Sequence, residues 1–133
     1  MTRPARTVAR LETSLTLARA ASDRRSYSVS ARLDAVLDDD HRVVLLDDRG
    51  WSTAGPVGTG ERLDLAELEE TARVVVGPDE PAHGRTHEEE ARLHWSALAD
   101  VLAGAGVATT GAELARLPHD VVPDERLLAR VRR

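Results

Sequence analysis

Cysteine is absent from this chain of 133 residues, which excludes disulfides and thiolate metal sites. Lysine is absent too, so all 18 basic residues are arginine. There is no phenylalanine, and Tyr27, Trp51 and Trp95 are the only aromatics. A core must therefore be built from Leu, Val and Ala, and each Trp matters to packing or binding. No apolar run approaches the roughly 20 residues that span a bilayer. Arg3, Arg6 and Arg10 stand near the N-terminus, but no uninterrupted apolar stretch of signal-peptide length follows them. These absences predict a soluble protein that stays in the cytoplasm. The arginine-only basic set and the Ala, Asp, Gly and Val load mark a GC-rich bacterial coding sequence. That is a property of a genome, not a function.

Charge is unevenly spread. Residues 1–32 hold seven Arg against Glu12 and Asp23, a balance of +5; the remainder holds eleven Arg against 21 acids, and the whole chain is −5. A basic arm on an acidic body is one form of nucleic-acid foot, with Arg3, Arg6, Arg10, Arg19, Arg24 and Arg25 as the contacts. No aromatic stacking platform or nucleic-acid motif accompanies them, and an arm packed on its own acidic body is the favoured reading. Nucleic acid is not an expected partner.

The most regular stretch is Ser26–Trp51. Tyr27, Val29, Ala31, Leu33, Ala35 and Leu37 alternate with Ser28, Ser30, Arg32 and Asp34, and only Val36 departs from the rule. A period of two puts the first set on a buried strand face and the second in water. Asp38-Asp39-Asp40-His41 supplies a turn into the β-branched run Val43–Leu46. Asp47-Asp48-Arg49-Gly50 reads as a second turn, with Gly50 free to adopt positive φ. Arg10–Ala20 fits strand or helix; its Ser and Thr content, and the turn at Ser22–Arg25, favour strand. Together these predict a three-stranded antiparallel meander over about residues 10–47.

Further on, the elements shorten. Trp51–Gly60 reads as an irregular connection. Asp64 with Glu67 forms a capping-box-like helix start, followed by Leu65, Leu68 and Ala72. Arg73–Val76, closed by Gly77-Pro78, reads as a fourth strand. Thr86 with Glu89 opens the strongest helix, about residues 87–103, with Ala91, Trp95, Leu98 and Leu102 on one stripe and Gly104 and Gly106 at its end. Thr110 with Glu113 starts a short helix ended by Pro118, and Pro123-Asp124 opens a last one. The prediction is one α+β domain over residues 1–133, with residues 1–7 as a disordered arm. Its order is β-β-β-α-β-α-α-α, with the C-terminal helices on one face of the sheet.

Candidate chemistry is sparse. His83, His87 and His94 cluster around the long helix, and Glu90 or Glu88 completes a nitrogen and oxygen set for zinc or another divalent ion. The spacing matches no metal motif: the second His of a zincin helix would fall at position 91, which is Ala. His87 and His94 are also about 10 Å apart along a helix axis at 1.5 Å per residue. The acidic turns Asp38–Asp40 and Asp47-Asp48 lack the spacing of an EF-hand loop. Gly55–Gly60 lacks the Gly-Lys-Ser/Thr of a phosphate loop, and Pro56 removes an amide. No Gly-x-Ser-x-Gly elbow is present. With no catalytic constellation, the favoured function is a non-enzymatic protein-binding module of the immunity or regulator type, without a cofactor. Its contacts would be Asp47, Asp48, Arg49 and Trp51, if the indole is exposed. The alternative is a divalent-metal or small-ligand protein, with a hydrolase as one form of it, using His83, His87, Glu90 and His94. The partner is another protein, and a homodimer is compatible with the sequence.

Overall fold

Alternation along the N-terminal third does become strands. The computed structural model describes residues 6–18, 26–54 and 63–131. Within them β1 spans Val8–Leu17, β2 Ser26–Leu37, β3 Arg42–Ala54 and β4 His119–Pro123. The four form one sheet in the order β3-β2-β1-β4. Four helices accompany them: α1 (Leu65–Val75), α2 (His87–Gly104), α3 (Gly111–Ala115) and α4 (Glu125–Leu128). The Ala18 N–H donates to the Ser28 carbonyl and the Asp38 N–H to the Thr7 carbonyl, so β1 and β2 run antiparallel. The β2–β3 hairpin closes through Leu37 N–H to the His41 carbonyl (2.8 Å), with Asp40 at φ 67° in its turn. Against β4 the register climbs in step: Leu11 bonds Pro118, and Leu15 bonds Asp124. That pairing is parallel. The class is α+β, with the N-terminal meander and one further strand.

The fourth strand lies elsewhere than the sequence suggests. Arg73–Val75 is the last turn of α1, not a strand. Leu68, Ala72 and Val76 recur at four-residue spacing and are buried, whereas Val74 is 69% exposed. A strand buried on both faces would hide every valine, and a helix hides one face. Residues 119–123, where the sequence predicts no strand and lets Pro123 open the last helix, form β4 instead, so the element order is β-β-β-α-α-α-β-α. The Asp47–Gly50 turn is a second correction, since these residues continue β3 without interruption. Gly50 does not use positive φ. A Cβ there would meet the Val29 carbonyl oxygen at 2.5 Å, so close backbone approach requires the glycine.

The chain divides into two compact units. The first comprises Met1–Glu12, Leu33–Leu45 and Gly77–Asp120. Its core holds Leu11, Leu33, Ala35, Leu37, Leu98, Leu102, Val107 and Leu114. Each fully buried leucine contributes about 1.5–3 kcal/mol relative to exposure. Thr86 caps α2 by accepting from the Glu89 N–H (3.1 Å), and Thr110 does the same for α3 from Glu113 (3.1 Å). At its C-terminus Gly106 takes φ 83°, and the Val107 N–H returns to the Leu102 carbonyl at 2.9 Å. That closes the helix as a glycine C-cap does. The other side of β2 departs from simple alternation, for Asp34 and Val36 are buried at 1% exposure. Asp34, expected in water, lies 3.6 Å from Arg42 Nη1, which also hydrogen-bonds Glu12. A carboxylate is tolerated out of water where a cation meets it.

The second unit comprises Thr13–Arg32, Leu46–Val76 and Val121–Arg133. Leu15, Leu17, Val29, Ala31, Leu63, Leu68, Ala72 and Leu127 are buried in it. Asp64 caps α1 through the Glu67 N–H (3.2 Å), and Asp124 caps α4 through Leu127 (2.8 Å). Asp124 also accepts from Leu17 N–H, and Arg126 donates to the Leu17 carbonyl at 2.7 Å. These bonds hold α4 to the end of β1. Residues 1–5 of the basic arm, the Ser22–Arg25 turn, the Gly55–Gly60 loop, and Arg3, Arg19, Arg24 and Arg25 lie outside the described residues.

Candidate functional site

β3 stands at one end of the sheet order, and among the described residues no strand pairs with its outer edge. Its second half carries the acidic and aromatic group singled out from the sequence. Odd positions Arg49, Trp51 and Thr53 are half-buried, and even positions Asp48, Gly50 and Ser52 are exposed. The two sets therefore occupy opposite faces of a strand. Arg49 reaches α1, donating from Nη1 to the Val75 carbonyl at 3.3 Å, and its Nε lies 3.8 Å from Asp48. Asp48 keeps 79% of its side chain in water, and Asp47 is exposed as well. Ser52 Oγ meets Ser28 Oγ at 2.7 Å, which ties this half of β3 to β2. Trp51 is neither core nor free surface. Its indole is partly covered on the inner face, at the edge of the sheet. The arrangement offers carboxylates, an indole edge and backbone hydrogen-bonding groups.

The histidine group is spread along α2 and the loop before it. His83 and His87 are exposed. Glu90 is engaged by Arg85 at 3.1 Å, so a cation already occupies its carboxylate. His94 stacks edge-on against Trp95, with ring centroids 4.9 Å apart at 80°. Among the described residues no group of three or more His, Cys, Asp or Glu is placed to hold a metal ion. Gly111, at the start of α3, sits over Trp95 and Ser96, where a Cβ would meet the Ser96 nitrogen at 2.9 Å.

The acidic β2–β3 turn engages the start of β1. Arg6 reaches Asp39 at 3.3 Å, His41 Nδ1 reaches it at 3.0 Å, and the Thr7 N–H donates to Asp38. The hydrogen bond from His41 lowers the Asp39 pKa below the ordinary aspartate value, helped by the charge on Arg6. Arg10 pairs with Asp120 at 3.4 Å. Of the six arginines named as nucleic-acid contacts, the two described, Arg6 and Arg10, thus meet the chain's own acids.

A recess of about 230 Å³ beside the end of β3 was not foreseen from the sequence. Tyr27, Thr53 and Thr71 supply hydroxyls, Asp64 and Glu67 carboxylates, and Leu63 and Leu68 apolar wall. Its one legible signal is Tyr27, the sole tyrosine, at the open end of the β2 apolar face. Comparison with protein-family models, with curated proteins and with solved structures finds no match for this chain.

Proposed function

We propose that the chain is a non-enzymatic protein-binding module that contacts its partner through Asp47, Asp48, Arg49 and Trp51 in the second half of β3. The observation that supports it most is the pair of exposed carboxylates in the middle of a sheet-edge strand of 13 residues. An exposed edge of that length is a template for another chain, and folded proteins normally blunt it or use it. Trp51 adds a half-buried indole, the residue type most enriched among interface anchors.

Site-specific photo-crosslinking tests the reading. A photoreactive residue at position 48 gives up one of the two carboxylates but leaves Asp47, Arg49 and Trp51 in place. It captures a defined protein in cells of the source organism at reduced yield, and one at position 92 on the exposed face of α2 does not. Equal capture from both positions, or none from 48, rejects it. The companion variant is Trp51→Ala, expected to retain a cooperative unfolding transition while losing the captured partner. Unfolding of that variant would reassign Trp51 to the core.

A further inference from the structure

We propose that β3 takes its partner by strand addition, the occupant being an extended segment of another protein with two adjacent basic residues and an apolar residue three positions away. This rests on the binding reading above and adds the partner's chemistry and mode. An edge strand leaves alternate N–H and C=O groups pointing away from its neighbour, and an added strand satisfies them. Residues of that strand opposite Asp47 and Asp48 are consecutive, so they point to opposite faces. Each then lies beside one carboxylate, and one basic side chain per face is the complement. Trp51 is three residues beyond Asp48 and half-buried; an apolar residue opposite it covers the remaining indole surface. A second copy is the competing occupant. Antiparallel self-pairing over the whole of β3 is centred on residue 48 and sets Asp48 against Asp48 but each Asp47 against an Arg49. A dimer in sedimentation that excludes the peptide would therefore overturn the proposed occupant.

The probe is a blocked eight-residue peptide with valine at each end, two arginines at its centre and threonine between. In either strand direction one valine falls opposite Trp51 when the arginines face Asp47 and Asp48. Three controls accompany it: the same peptide with two glutamates, the same with alternate backbone nitrogens methylated, and the double variant D47N/D48N with its unfolding midpoint verified. Saturable binding of the arginine peptide is expected, with slowed hydrogen exchange at alternate β3 amides. Affinity falls about tenfold in the double variant, which loses both opposed charge pairs. The glutamate peptide does not bind. Absence of amide protection, or undiminished binding of the methylated peptide, overturns strand addition. If position 48 still captures a protein in that case, the binding reading stands without this mode; if it captures nothing, the reading itself has failed.

Discussion

Gly50 shows how a single residue type can be read correctly as important and wrongly as to cause. Asp-Arg-Gly suggests a turn, yet the residue lies in β3, and what it lacks in side chain gives room for the Val29 carbonyl 2.5 Å from where a Cβ would stand. Gly50→Ala must move backbone, because the obstacle is not the far end of a flexible side chain. A cost of about 1–3 kcal/mol in urea unfolding is expected, the range for overpacking. An unchanged midpoint would mean that β3 can slide off β2 there. Asp39 is a second residue-scale case. Its folded pKa is lowered by His41, so its contribution to stability is present above the ordinary aspartate value of about 3.9. That contribution is lost as pH falls through the lowered folded value. The carboxyl resonance of Asp39 should titrate below that of a free aspartate, and His41→Ala should bring it back up. Asp39 is solvent-exposed, so the test is the titration rather than a stability difference.

At the scale of elements, charge and capping decide more than composition does. Asp47 and Asp48 break the edge of β3, and D47V/D48V should turn it into a flat apolar template. Sedimentation is expected to show concentration-dependent self-association of that variant while the native chain stays in one state. Unaltered sedimentation would mean that the edge is already closed. Asp64→Ala should cost about 0.5–2 kcal/mol through loss of the α1 cap, and Asp64→Asn much less, because asparagine caps as well. The caps at Asp64, Thr86, Thr110 and Asp124 were all legible, since a cap is local: an oxygen and an N–H three residues on. The meander was legible because its period of two runs over many residues. β4 was not, for its five residues pair in parallel with β1 at a separation of more than a hundred positions, and no local pattern records that. Val74–Val76 misled because a short β-branched run fits strand or helix, and only burial of Ala72 and Val76 on one stripe separates them. Of the candidate site, the residue types were visible, but their setting was not. Pairing with β2 overrode the turn propensity of Asp47–Gly50, and Arg85 drew Glu90 away from the histidines.

For the whole molecule the governing quantity is the formal charge of −5. A field of that sign speeds encounter with a basic partner, and the gain is lost as salt screens it. At about 0.01 M ionic strength the screening length is about 30 Å, and at about 0.15 M it is about 8 Å. The association rate of the arginine peptide, or of the protein captured at position 48, should therefore fall severalfold over that range. Its dissociation rate should change little, because backbone hydrogen bonds and the Trp51 contact hold the complex at short range. D47K/D48K separates the local from the global effect. It moves the formal charge from −5 to −1, two units for each substitution, and places two repulsive groups at the contact. If steering is a property of the whole surface, a charge change of the same size made on α2, for instance E88K/E89K, slows association and leaves dissociation alone. Loss of the complex in D47K/D48K, with only slower association in E88K/E89K, assigns recognition to β3 and steering to the molecule. Equal loss in both would leave nothing for β3 to recognise beyond net charge.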